Sequence, residues 1–262
     1  MSAVEGLSVN REDATATVVL DRPQARNAIT LEMYEALPGI VADLDADPVV
    51  KVVVVRGAGD AAFAAGADIK EFQRVRADST SARSYNERVA AAEGAIASLS
   101  KPTVAMVHGF CIGGGCGIAL SCDLRFADDQ ARFGITPAKL GLVYSLESTK
   151  RLVDVVGPAK AKWILMTGLH VPAEEALRIG LVERVVPAGR LAEETAELAR
   201  LLCTRAQYSV RATKSIIGRI LAGQTVDDEH TTGLRASSFD TDDYAEGVQA
   251  FLERREPVFR WS

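Results

Sequence analysis

The hydrophobic pattern divides the chain into strand and helix segments. Residues 14–20 alternate small, β-branched and apolar side chains and predict a strand, closed by the turn residues Asp21-Arg-Pro23. Thr30, with Glu32 and Glu35 just beyond it, marks the start of a helix running to about residue 47, with Pro38 as an internal irregularity. Residues 49–56, centred on four consecutive valines, read as a strand buried on both faces, as in a parallel sheet. A loop and helix over 61–72, a polar, mobile-looking stretch over 73–84 and a helix to 99 lead to a second buried strand at 103–107 and a glycine turn. A short strand at 124–127, a hairpin-like piece to 134, helices at 146–156 and 158–167 and a strand at 182–186 follow. From 190 onward the pattern is helical, over about 190–204, 207–222, 226–239 and 242–255. This gives an α/β core over 1–190 and a helical region over 191–262 suited to packing on a neighbour.

Between Lys101 and Asp123 lie 21 residues without a formal charge, enough to span a bilayer. Five glycines within residues 109–117 break any such helix, each costing roughly 1 kcal/mol relative to alanine. A buried strand, a turn and a buried helix fit the same apolarity. The first 12 residues lack the basic head and apolar run of a secretory signal.

Composition narrows the chemistry. With 30 basic and 35 acidic residues, a net charge of -5 and 6% aromatics, neither nucleic acid nor an anionic membrane is the expected partner. The four cysteines form no C-x-x-C pair and the three histidines, His108, His170 and His230, are far apart. No metal site or disulfide framework is expected, and a reducing cytoplasm is the expected location.

Two glycine turns carry the strongest signal, Phe63-Ala-Ala-Gly66-Ala-Asp-Ile-Lys-Glu71 and Gly113-Gly-Gly115. Each follows a buried strand and is expected to open a helix, presenting free backbone N–H groups at the carboxyl edge of a sheet. Dinucleotide binding requires G-x-G-x-x-G, but position 118 is isoleucine; no Gly-Lys-Ser/Thr phosphate loop or G-x-S-x-G elbow occurs. Two N–H groups converging on one oxygen remain: an oxyanion hole.

With the stretches at 20–29, Lys101-Pro102, 107–116, 121–127 and 244–255, these turns resemble the enoyl-CoA hydratase/isomerase (crotonase) superfamily over about residues 14–259. The resemblance implies a crotonase (ClpP-like) fold of repeated strand-strand-helix units with a helical C-terminal region that builds trimers or dimers of trimers. It also implies an acyl-CoA thioester substrate, with coenzyme A as part of the substrate and no separate cofactor. By position the oxyanion donors would be the N–H groups of Ala67 and Gly114. Coenzyme A would run along Arg26, Ala28, Ala65, Ala67, Asp68, Ile69, Lys70 and Gly114, with Arg254 or Arg255 near its phosphates. Lys70 also reads simply as a solvated helix residue.

The chain departs from the hydratases of that family, which use two glutamates. The first position falls on Gly117, the second on Pro137, or on Ala138 if the loop shifts by one. A positioned acid/base contributes ~10²- to 10⁴-fold, so hydration should be nearly lost. The stretch from Gly134 to Glu147 is similar to methylmalonyl-CoA decarboxylases, including a tyrosine at Tyr144, although those enzymes have a histidine where this chain has Ala67. Departing CO2 leaves an enolate without a base, with Tyr144 orienting the carboxylate. Ser145 falls where dienoyl-CoA isomerases carry an aspartate, and Glu147 is either catalytic or a helix-start carboxylate favoured by the dipole. Cys111, Cys116, His108 and Asp123 read as structural and His230 as exposed. The expectation is an enolate-stabilising isomerase or decarboxylase; the alternative is a family member that only binds acyl-CoA.

Overall fold

The protein is described by a computed structural model covering residues 4–260. Its elements in chain order begin with β1 (Leu7–Glu12), β2 (Thr15–Leu20), α1 (Leu31–Ala46), β3 (Val52–Gly57), β4 (Ala62–Ala64), α2 (Phe72–Val75) and α3 (Ser79–Ser98). Next come β5 (Thr103–Val107), β6 (Phe110–Ile112), α4 (Gly114–Ser121), β7 (Leu124–Asp128), β8 (Arg132–Gly134) and α5 (Leu146–Thr167). The chain continues through β9 (Val171–Pro172), α6 (Ala173–Arg178), β10 (Arg184–Val186), α7 (Leu191–Cys203), α8 (Gln207–Leu221), α9 (Glu229–Ser238) and α10 (Asp242–Glu253).

The strands form two sheets, ordered β1-β2-β3-β5-β7-β10 and β4-β6-β8-β9. Successive strand pairs contribute one strand to each sheet and then a helix: β3 and β4, β5 and β6, β7 and β8. This is the crotonase fold, with the strand-strand-helix repeat. The four-valine run behaves as its pattern predicts. β3 lies between β2 and β5, parallel to both. Val53 and Val55 enter the main core, whereas Val52 and Val54 enter a second cluster. Leu191 and Ala199 of α7 cover that second face, so both faces of β3 leave water.

Three expectations need correction. Residues 61–72 do not form a loop and helix; they form β4, an open loop and a single 3-10 turn at Ile69–Glu71. The piece reaching 134 is no hairpin, because β7 joins the large sheet while β8 pairs with β6 in the small one. The polar stretch 73–84 is largely helical. Asp78 caps α3 through the N–H groups of Thr80 and Ser81 at 2.9 and 2.8 Å, and Ser81 answers the Asp78 N–H. The helices at 146–156 and 158–167 are two arms of α5, kinked at Gly157.

Candidate active site

The second glycine turn follows β6. Gly113 takes φ 52 and ψ -113, a combination poorly suited to a side chain, and turns the chain so that α4 starts at Gly114. Its own N–H donates to the Gly134 carbonyl at 2.7 Å. The Gly114 N–H, at the first helical position, has no acceptor among the described residues.

The first turn provides its donor differently from the expectation, since no helix of any length begins there. Ile29 and Ala67 form an isolated parallel bridge. The Ile29 N–H donates to the Gly66 carbonyl at 2.8 Å, and the Asp68 N–H to the Ile29 carbonyl at 2.8 Å. The ladder uses the groups on either side of Ala67 and leaves its N–H without an acceptor among the described residues. The Ala67 nitrogen lies 3.6 Å from the place a Cβ on Gly114 would occupy. The two turns therefore set Ala67 and Gly114, each with an N–H that has no acceptor among the described residues, side by side.

Tyr34, absent from the sequence expectations, stands against Gly114. It sits on α1, which Thr30 caps through the Met33 N–H at 3.2 Å. Its hydroxyl packs so close to Gly114 that a Cβ there would come within 3.0 Å of it. Tyr34 meets Tyr85 of α3 edge-on at 6.1 Å, and the Arg76 guanidinium lies 4.3 Å over the Tyr85 ring. Burial raises the hydroxyl pKa of Tyr34, and pushes that of Tyr85 up to about 12, so both are neutral donors at ordinary pH.

One turn along α4 is Gly117, where the sequence places no carboxylate. A carboxylate is nevertheless there. Glu93 of α3, only 2% exposed, places Oε1 against Gly117, closer than 3.0 Å to a Cβ at that position. Glu93 Oε2 accepts from Ser148 Oγ at 2.7 Å and from Arg151 at 2.9 Å. The Tyr144 hydroxyl is buried without a partner, 3.5 Å from the same Cβ position. Burial raises the Glu93 carboxyl above its ordinary range, against the opposing Ser148 bond and Arg151 charge. No sequence motif marks Glu93; the signal lay in its spacing, with Ala92 and Ile96, on the inward face of a helix.

Ser145 and Glu147 are exposed. The Ser145 hydroxyl caps α5, accepting from the Ser148 N–H at 3.1 Å and bonding Ser148 Oγ at 2.8 Å. Glu147 is exposed in the first turn of α5. Pro137 begins a 3-10 turn and Ala138 is exposed on it.

The residues aligned with a coenzyme A path form one connected edge. Arg26 and Asn27 adopt left-handed φ values of 51 and 56. Asn27, fully buried, accepts from the Arg22 N–H at 3.0 Å and donates to the carbonyls of Ala58 and Ala62 at 2.9 and 2.7 Å. Ala65 donates to the Arg26 carbonyl at 2.9 Å. Arg22 joins Ala28 to Asp68, donating at 2.6 and 2.9 Å. Ile69 and Lys70 stand exposed on the outer loop. In the tail Arg255 is held by Glu246 and Glu253, both at 2.6 Å, while Arg254 is exposed.

The cysteines beside the turn are inert in this arrangement. Cys116 donates to the Cys111 carbonyl at 2.8 Å, and burial pushes the Cys111 thiol pKa well up. His108 is buried at the end of β5, and Asp123 accepts from Thr103 and Lys214. Among the described residues no group of three His, Cys, Asp or Glu side chains could hold a metal, and no helix is long and apolar enough to cross a membrane.

A family model for enoyl-CoA hydratase/isomerase matches residues 10–261. The chain belongs to this family. It is 34% identical to a crotonyl-CoA hydratase of Syntrophomonas wolfei over 98% of both chains. It is 32% identical to a short-chain-enoyl-CoA hydratase of Clostridium acetobutylicum over 95% of both. An enoyl-CoA hydratase/isomerase family structure from Hyphomonas neptunium superposes with a TM-score of 0.95 at 39% identity, covering 98% of each chain. The protein is thus an acyl-CoA enzyme of the enoyl-CoA hydratase/isomerase type.

Proposed function

We propose that this enzyme binds an acyl-CoA thioester and stabilises its enolate in an oxyanion hole made by the N–H groups of Ala67 and Gly114. The observation that carries the reading is the side-by-side placement of those two unspent donors. Forming a thioester enolate places negative charge on the carbonyl oxygen, where fixed donors act most strongly. Losing one typically costs ~3 to 4 kcal/mol of transition-state stabilisation.

The reaction we assign is isomerisation or decarboxylation rather than efficient hydration. This rests on the identities of Gly117, Pro137 and Ala138, none of which is the glutamate that the resemblance assigns to those positions in the hydratases. The unpartnered Tyr144 hydroxyl suits orientation of a substrate group. Arg26, Ala28, Ala65, Asp68, Ile69 and Lys70 would hold coenzyme A, and Arg254 or Arg255 would lie near its phosphates. The helical region 191–262 would build a trimer or a dimer of trimers, with the protein in a reducing cytoplasm.

Crotonyl-CoA and methylmalonyl-CoA, offered separately, test the choice. We expect little hydration of the first; fast hydration would overturn the assignment. Release of CO2 from the second, lost in Tyr144→Phe, would select decarboxylation. The capping of Ser145 and the exposure of Glu147 favour one second reading, a member that binds acyl-CoA without turnover. Binding without turnover across an acyl-CoA panel would establish it.

A further inference from the structure

We propose that Glu93 is the acid/base residue of this site, delivered from α3 into the space that a side chain at position 117 would otherwise fill. The inference rests on the thioester reading above and names the group that moves the proton.

The geometry carries it. Gly117 lies one helical turn from the oxyanion donor Gly114 on α4, and its N–H bonds to the Gly113 carbonyl at 3.0 Å. Glu93 Oε1 fills the place directly over the Gly117 Cα, so glycine at 117 and the carboxylate from α3 are complementary: any Cβ would expel it. The two oxygens of Glu93 are used unequally. Oε2 takes both the Ser148 hydroxyl and the Arg151 guanidinium, while Oε1 bonds to no described residue and faces α4. A purely structural ion pair between α3 and α5 would explain Oε2 alone. It would not explain why the second oxygen sits beside the oxyanion hole, nor why the Tyr144 hydroxyl beside it is also unpartnered. A carboxylate on a buried side chain that keeps one oxygen free of protein partners is the arrangement an acid/base group needs.

One carboxyl suits one reaction in particular. With a 3-enoyl thioester, Oε1 removes a proton from C2 and the C–H electron pair moves onto the thioester oxygen. The resulting dienolate is held by Ala67 and Gly114. The protonated Glu93 then returns its proton to C4; the electron pair flows back, forming the C2=C3 bond and restoring the carbonyl. Nothing is added or lost. Hydration in this family calls for two glutamates, and among the described residues Glu93 is the one glutamate that is buried. Decarboxylation would bring a substrate carboxylate against Glu93, a like-charge encounter. Glu93 therefore selects isomerisation.

The groups facing Glu93 are Tyr34 from α1, Tyr85 from its own helix α3, Tyr144 just before α5, and Glu147, Ser148 and Arg151 of α5. Conversion of trans-3-hexenoyl-CoA to its conjugated 2-isomer by the full-length enzyme, with hexanoyl-CoA binding by calorimetry, tests the role. We expect turnover by the wild type, a ~10²- to 10⁴-fold fall in kcat in Glu93→Gln, and hexanoyl-CoA affinity within a few-fold of wild type. The swap Glu93→Ala with Gly117→Glu, which returns a carboxylate from α4, should recover at least tenfold over Glu93→Ala alone. Wild-type kcat in Glu93→Gln, or a wild type that binds hexanoyl-CoA yet leaves trans-3-hexenoyl-CoA unchanged, overturns the role of Glu93 alone. A wild type that binds no hexanoyl-CoA overturns the thioester reading itself.

Discussion

Gly114 must satisfy two neighbours at once. Its N–H has no acceptor among the described residues, and its Cα lies against the Tyr34 hydroxyl. Gly114→Ala should therefore displace Tyr34 or α4 and lower kcat about 10²- to 10³-fold, the usual effect of a lost oxyanion donor. The Tyr34 ring carbon bearing the hydroxyl is 3.5 Å from the Cβ position, an ordinary contact. Tyr34→Phe should accordingly restore most of the loss in Gly114→Ala, a coupling that a double-mutant cycle reads directly. Glu93 offers a second prediction at this scale. Burial raises its folded carboxyl pKa above the ordinary value of 4.5, so the native state holds its proton more tightly than the unfolded chain. The native stabilisation of the protonated form is complete below pH 4.5 and is lost as pH rises through the folded pKa. The stability of wild type relative to Glu93→Gln, from denaturant titrations, should fall with rising pH across that window and be flat below it.

At the scale of elements, the site depends on a turn that crosses between strands. Asn27 connects the ends of β2, β3 and β4, and through Arg22 the same turn reaches Asp68. Asn27→Ala leaves the Ala58 and Ala62 carbonyls and the Arg22 N–H without partners. We expect a loss of about 1–3 kcal/mol per unsatisfied buried group in urea unfolding. KM for acyl-CoA should rise more than kcat falls, because the edge we propose for coenzyme A contains Asn27's neighbours Arg26 and Ala28, whereas Gly114 of the proposed oxyanion hole lies on another turn. Elements with strong periodicity were legible in the sequence. The valine strand, the capped helix from Thr30 and the last four helices lie within a few residues of their predicted limits. What was not legible depended on long-range pairing. β4, β6 and β8 have three residues each, too few to show a period, and they form a sheet only by pairing with each other. The resemblance implies Ala67 as a donor, but what leaves its N–H without an acceptor, a bridge to Ile29, lies outside any local pattern. Glu93 is illegible for the same reason: residue 117 itself carries no side chain, and the carboxylate beside it comes from a helix residue 24 positions earlier.

Across the whole molecule, apolar surface is unevenly distributed. Phe251, Leu252 and Val258 at and beyond the end of α10 are 83, 76 and 70% exposed, and Phe239 after α9 is 63% exposed. Exposed apolar side chains of this size suit an association surface. In the oligomer we propose these side chains lie between subunits, so light scattering should give a trimer or hexamer mass. Phe251→Glu with Leu252→Glu should shift that mass toward the monomer. An unchanged mass would place the interface elsewhere, and a monomeric wild type would remove it. Lys214 of α8, bonded at 2.8 Å to Asp123 and at 3.0 Å to the Lys101 carbonyl, fixes the helical region to the core, so the variant should keep its secondary structure.

The central claim is that two backbone N–H groups stabilise a thioester enolate, and acetoacetyl-CoA reports that state by its ultraviolet absorbance. At a pH where the free thioester is mainly keto, binding to the enzyme should raise the enolate band. The donor is isolated in the Tyr34→Phe background, where Gly114→Ala keeps the N–H and Gly114→Pro removes it at a helix position that accepts proline. The account predicts a strong enolate band in Tyr34→Phe with Gly114→Ala and its loss in Tyr34→Phe with Gly114→Pro. Acetoacetyl-CoA bound by the wild type in the keto form, or an enolate band unaffected by the proline, would contradict it.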